Sequence, residues 1–292
     1  MKNVKPKKVK ILVALGAILV ALGAIIALAA VNIHHLFVMT QNAGLPCSPI
    51  RIESKTPSGL GSYSLEALEG DERVTFDQSL MLVNTEYTLD ENYVPDIEEY
   101  KDTTVYMSRC MLDAYARLSA AVKEKTGKKL YVSSDFRTAE EQEELYLEDP
   151  LTATLPGASE HQTGLALDVY VAYYAGDGFI KSFAGRFVNA NSWRYGFIIR
   201  YPSYAEDVTG IRYEPWHIRY VGHPHADVIY NNHTTLEEYV LSLNVGEWYE
   251  IEGYLVCRQA LSEQGTLELP ISFDDCVISP DNTGYYIITV SP

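Results

Sequence analysis

Two segments, well separated along the chain, constrain its fold most. One reads Ser159-Glu160-His161-Gln162-Thr163-Gly164-Leu165-Ala166-Leu167-Asp168, the other Glu214-Pro215-Trp216-His217. Between them they hold two imidazoles, a carboxylate able to sit beside them, and a second carboxylate next to the last His. That is the donor set of a hydrolytic zinc site: three protein ligands, an open position for water, and a base to deprotonate it. A fold that uses this set must bring both segments to one place.

Strand phase supports such a meeting. Over Leu165–Val171 the apolar Leu165, Leu167, Val169 and Val171 share one face, and Ala166, Asp168 and Tyr170 share the other. Asp168 therefore points away from the core. Gly164 permits a close approach of the loop carrying His161. In a straight strand Glu214 and His217 would face opposite ways. Pro215 fixes its own φ and restricts its predecessor, so it favours a bend that turns both side chains to one cavity. Trp216 reads as core packing. His223 and His225 are rival ligands, but their place on a turn after a strand points to the surface; His233 reads as a loop residue.

A third segment, Ser134-Asp135-Phe136-Arg137-Thr138-Ala139-Glu140-Glu141-Gln142, puts Arg137 at a strand-to-helix junction. A guanidinium there can grip a substrate carboxylate or stabilise an oxyanion, and Gln142 can share the same mouth. The competing reading of Arg137 is a surface ion pair with Glu140 or Glu141.

Helical spacing of Met111, Ala114, Tyr115, Leu118, Ala121 and Val122 predicts a helix over 108–125, with Gly127 as its stop. Residues 130–133 read as a strand. A helix over 138–148 follows, capped by Thr138 and Glu141. Further strands are expected at 196–201 and 216–221, and helices at 183–192, 226–231 and 235–243. Helices and strands alternate without repeated βαβ units, so the class is α+β with a small, mainly antiparallel sheet flanked by helices.

The first ten residues carry Lys2, Lys5, Lys7, Lys8 and Lys10 and no acid, and an uncharged apolar run follows over 11–31. About twenty such residues span a bilayer as a helix, and the lysines keep the short tail in the cytoplasm. A cleaved leader is the competing reading. The organisation expected is a basic tail (1–10), a single-pass transmembrane anchor (11–31), an extracellular linker rich in Ser, Pro and Gly (32–75), a catalytic domain (76–244) and a β-rich C-terminal appendage (245–292). The formal net charge of −16, more acidic still without the tail, argues against nucleic acid as a partner. None of Cys47, Cys110, Cys257 and Cys276 shows ligand spacing. A bridge between Cys257 and Cys276 is left open, and Cys110 reads as a buried free thiol.

The residues Pro156 to Gly164, then Asp168, then Glu214-Pro215-Trp216-His217, resemble the VanY-type D-alanyl-D-alanine carboxypeptidases. These belong with zinc peptidases that include VanX-type dipeptidases, L,D-carboxypeptidases and hedgehog-like folds. Tyr195-Gly196-Phe197, Arg200-Tyr201-Pro202 and Arg219-Tyr220-Val221-Gly222 fit the same pattern. The resemblance implies one catalytic zinc ion held by His161, Asp168 and His217, with Glu214 as catalytic base. It also implies that Arg137 stabilises the transition state or substrate, and that Ser159 and Gln142 lie near the substrate's terminal carboxylate. The substrate implied is a peptidoglycan stem peptide ending in D-alanine; an L,D-carboxypeptidase or endopeptidase of the same fold is the alternative. Asp135 departs from the family, which often has Gly there, and it adds a charge beside Arg137.

Overall fold

The computed structural model describes residues 48–150 and 153–291. The basic tail, the apolar run over 11–31 and Cys47 lie outside the described residues. Among the described residues no helix is long and apolar enough to cross a membrane.

In chain order the elements are β1 (Glu53–Ser54), β2 (Leu60–Ser64), α1 (Leu65–Glu69), β3 (Val74–Phe76), β4 (Ile97–Glu99), β5 (Tyr106–Ser108), α2 (Leu112–Thr126), β6 (Tyr131–Ser134), α3 (Ala139–Glu148), β7 (Ala166–Tyr170), α4 (Phe183–Asn191), β8 (Phe197–Ile199), α5 (Glu206–Thr209), β9 (His217–Tyr220), α6 (His225–Asn231), α7 (Leu236–Ser242), β10 (Trp248–Ile251), β11 (Tyr254–Gln259), β12 (Thr266–Pro270), β13 (Cys276–Pro280) and β14 (Tyr286–Val290). The α+β class expected from the sequence is the one observed.

The central sheet is antiparallel, in the order β6-β7-β9-β8. Its core face is the one predicted from strand phase: Leu165, Leu167, Val169 and Val171 are all buried, the last three in one cluster with Leu118 and Val122 of α2 and Ala184 and Val188 of α4. α2 ends at Gly127, whose φ of 70° is a left-handed stop. α3 starts from the expected capping box, Thr138 and Glu141 exchanging side-chain and backbone hydrogen bonds.

The segment expected as a linker is folded from residue 53 onward. β1 pairs with β10, β2 with β12 along its full length, and β3 runs parallel to β13. Its Ser, Pro and Gly content obscured an apolar set, Leu60, Tyr63, Leu65, Leu68, Val74 and Phe76, that packs with Trp248, Leu267, Leu269 and Ile278. The C-terminal strands are therefore not an appendage. Four of them, β10, β11, β13 and β14, join β1 and β3 in a six-stranded sheet, β1-β10-β11-β14-β13-β3, while β12 pairs with β2. That sheet shares a core with α6 and α7, where Ala226, Ile229, Leu236 and Val240 meet Ile251, Val256 and Ile287.

Cys257 and Cys276 are unbridged and buried. They sit on β11 and β13 with β14 between them. Two strand spacings come to about 9–10 Å, beyond the Cα separation of about 7 Å a disulfide tolerates. Cys110 is also a free thiol, next to Ser108 Oγ at 3.3 Å, and burial pushes it up to about 12.

Candidate metal centre

Register places the key pair. Asp168 on β7 lies directly opposite His217 on β9, and His217 Nδ1 is 3.0 Å from Asp168 Oδ1. On its other side Asp168 faces Ser134 across a bulge in β6 at Ser133. Bulges of this kind re-aim side chains at sites. His161 comes from the 3₁₀ turn Glu160–Thr163 that precedes β7. The turn closes on Gly164 at φ 70°, where an added Cβ would lie 2.8 Å from Ile97 Cγ2 and 2.9 Å from the Ser108 nitrogen. The close approach Gly164 allows is thus to the β4–β5 hairpin, against which the His161 turn is pressed.

His161 Nδ1 donates to the Asp135 carbonyl at 2.9 Å, which leaves Nε2 bare and 3.6 Å from Asp168 Oδ2. One ligand atom each from His161, Asp168 and His217 lies within 4.8 Å of the others. The two imidazole planes stand at 83° to one another. Two imidazoles and a carboxylate, converging with one His nitrogen already fixed by a carbonyl, fit a borderline cation such as zinc.

Glu214, Pro215 and Trp216 form the bend expected before β9. The Glu214 nitrogen donates to the Tyr201 carbonyl at 3.0 Å, and His217 N donates to the Glu214 carbonyl at 3.1 Å. Asn189 Nδ2 holds the Pro215 carbonyl at 2.9 Å. The bend leaves Glu214 Oε2 3.9 Å from His217 Nδ1. Trp216 packs against the core beneath the sheet.

Electrostatics separate the two carboxylates. Burial raises Glu214 above the ordinary carboxylate range, and the charge of Asp168 adds to this against the opposing pull of His217. Burial also works to raise Asp168, but the His217 hydrogen bond and the charges of His217, His161 and Arg137 outweigh it and hold it below that range. Burial lowers His161 to about 4. It acts the same way on His217, but Asp168 and Glu160 reverse it and raise that imidazole to about 9.

Arg137 carries its charge close enough to act on both Asp168 and His161. It lines a cleft of about 370 Å³ with Ser133, Asp135 and Glu141. Its Nη1 donates to Gln142 Oε1 and its Nη2 to Ser134 Oγ, both at 2.7 Å. Gln142 is buried and spends its amide nitrogen on the Thr154 carbonyl at 2.7 Å. It does not stand at the mouth as the sequence reading placed it; it orients Arg137. Ser159 is buried at the start of the His161 turn. Asp135 turns its side chain to the Tyr106 nitrogen at 2.5 Å. His225 is buried between Tyr239 Oη (2.7 Å) and Thr289 Oγ1 (3.0 Å) rather than at the surface. His223 is exposed and paired with Asp227. Neither joins the cluster.

The family model described as D-alanyl-D-alanine carboxypeptidase, VanY, matches residues 104–223. Over 258 residues the chain is 32% identical to a D-alanyl-D-alanine carboxypeptidase of Enterococcus faecium, an alignment spanning 80% of this chain and 82% of that protein. The chain belongs to the VanY family. Among solved structures, a D,D-pentapeptidase VanY from a VanB-type resistance cassette, in complex with Zn(II), is 31% identical with a TM-score of 0.50, covering 56% of this chain and 98% of that one. The L,D-carboxypeptidase LdcB is 35% identical with a TM-score of 0.51, covering 56% and 86%.

Sequence reasoning missed two supports of this VanY-family site, the Asp135 carbonyl and Glu160. The first leaves no side-chain signal. The second had one: Arg200 and Arg219 each follow an isoleucine and precede a tyrosine in a strand-like run. Arginines in apolar strands are seldom buried unless paired, so a buried carboxylate was implied. Glu160 is that carboxylate. Its Oε1 accepts from Arg200 Nε (2.7 Å) and Arg219 Nη1 (2.6 Å).

Proposed function

We propose that this protein is a zinc D,D-carboxypeptidase that removes the terminal D-alanine from peptidoglycan stem peptides. The observation that carries the reading is the convergence of His161, Asp168 and His217, with Glu214 3.9 Å from His217. Three protein ligands and an adjacent carboxylate suit an open, catalytic site, whereas a structural site is usually closed by four. His161, Asp168 and His217 would hold the ion, which supplies Lewis-acid activation of the attacking water and of the scissile carbonyl.

Glu214 accepts the water's proton as the C–O bond forms and delivers it to the departing amine as the C–N bond breaks. Burial raises its pKa, which strengthens it as the base that takes the proton and later returns it. Arg137, held by Gln142 and Ser134, presents a fixed positive charge for the substrate carboxylate or the developing oxyanion. The solved zinc-bound VanY relative and the Enterococcus faecium carboxypeptidase support both the ion and the bond cleaved. Loss of the terminal D-alanine would also remove a D-alanyl-D-alanine target of glycopeptides.

The lysine-flanked run over 11–31 supports a single-pass anchor with the catalytic domain outside the membrane. Protease shaving of intact cells, read against whole-membrane fractions, tests that placement.

The similarity to LdcB favours a second reading, an L,D-carboxypeptidase acting on tetrapeptides. Mass spectrometry of products from defined pentapeptide and tetrapeptide substrates separates the two. Glu214→Ala is expected to keep its zinc and lose about 10²–10⁴-fold in turnover. Near-normal release of D-alanine by that variant would remove Glu214 from the mechanism.

A further inference from the structure

Two buried polar atoms beside the metal centre have no hydrogen-bond partner: Glu160 Oε2 and His217 Nε2. They lie 3.6 Å apart, just beyond hydrogen-bond range. An orphaned buried polar group is destabilising, so a pair of them facing each other calls for an explanation.

Glu160 is unusually fixed. Besides the two arginines on its Oε1, Arg200 grips Glu237 in the first turn of α7 through Nη1 (2.8 Å) and Nη2 (2.5 Å). Arg219 Nη2 holds the Ser79 and Met81 carbonyls at 3.0 and 2.8 Å. Arg219 and His217 are two residues apart on β9 and share a sheet face, so Glu160 spans both. Its other oxygen is left aimed at the imidazole.

The nitrogen that His217 turns to the ligand cluster is Nδ1. A neutral imidazole that ligates through Nδ1 must carry its only proton on Nε2, the atom facing Glu160. We infer that Glu160 is a positioning residue for the metal centre: it accepts the Nε2 proton of His217, fixing that ring's tautomer and orientation so that Nδ1 is presented to the ion. His161 is served in the opposite sense, its Nδ1 proton going to the Asp135 carbonyl. The two imidazoles thus offer different nitrogens, each set by a different acceptor. Outer partners of this sort typically contribute about 10–100-fold in metal affinity. The inference rests on the metal reading above and extends it to a residue outside the ligand set.

Glu160→Asp retains the charge between the arginines but withdraws the carboxylate from His217. It is expected to weaken zinc about 10–100-fold in chelator competition, with an unchanged far-ultraviolet dichroism spectrum in the metal-free state. Zinc affinity within twofold of wild type would overturn the inference. Should that variant fail to fold, nitrogen NMR of the zinc-loaded wild type decides alone. His217 protonated on Nε2, with that proton protected from solvent exchange, supports the inference; a proton on Nδ1, or an Nε2 proton exchanging freely, overturns it. A wild-type protein that binds no zinc would instead sink the metal reading itself.

Discussion

Gln142 shows how much a single buried amide can decide. It accepts from Arg137 and donates to Thr154, so it holds the guanidinium from a buried position. Gln142→Leu keeps the volume and removes both hydrogen bonds. Misplacing a positioning group by about an ångström can cost on the order of 10²-fold, so kcat/KM is expected to fall about 10–100-fold with zinc content unchanged. Metal analysis beside steady-state kinetics checks this; an unaltered kcat/KM would show that Arg137 is held by Ser134 alone. Asp168 was legible from strand phase, because alternation along a strand dictates which face a side chain takes. The role of Gln142 was not, because a helix position does not reveal which loop carbonyl will fold back onto it.

The decisive element is the β7–β9 pair, which sets Asp168 against His217. A slip of one residue would put Asp168 on the core face and dismantle the site. The bend at Pro215 was legible because proline restricts two residues at once, whereas the bulge at Ser133 carries no comparable signal. The most informative helix is α6. Its first residue, His225, reaches Thr289 on β14 and Tyr239 on α7. Burial lowers this imidazole from its ordinary 6.5 to about 3. Between those values the unfolded chain holds a proton that the folded chain excludes. His225 therefore contributes full stability above about pH 6.5 and loses it as the pH falls toward about 3, at up to about 1.4 kcal/mol per unit. Urea unfolding of chelator-treated protein at about pH 7 and about pH 4.5 should show a smaller acid loss for His225→Gln than for wild type. Parallel losses would exclude His225 as the source.

At the scale of the molecule, the catalytic sheet and the C-terminal sheet are joined through α6 and α7. Residues 53–76 complete the C-terminal sheet from the other end of the chain. Cutting the chain after Asn244 would remove Tyr249, Ile251, Val256 and Ile287 from the core they share with Leu236, Tyr239 and Val240, and each large buried apolar side chain contributes about 1.5–3 kcal/mol. The truncated protein is expected to lose cooperative thermal unfolding and D-alanine release together, as calorimetry and a product assay would show; an active, cooperatively folding fragment would restore the idea of an appendage. The alignment to the Enterococcus faecium relative, reaching well beyond 104–223, agrees with a fold larger than the family core. The sequence by itself picked out the three residues that converge, His161, Asp168 and His217, the phase of their strands, the helix caps and the bend before His217. All of these are local, governed by periodicity, φ restriction or capping within a few residues. Only the tertiary structure decided what lies opposite each face: Glu160 behind His217, Gln142 behind Arg137, β14 between Cys257 and Cys276, and β1–β3 against the C-terminal strands. Periodicity tells a side chain to be buried but not against what, and strand pairings across nearly two hundred residues, such as β1 with β10, depend on the apolar surface the whole chain can hide.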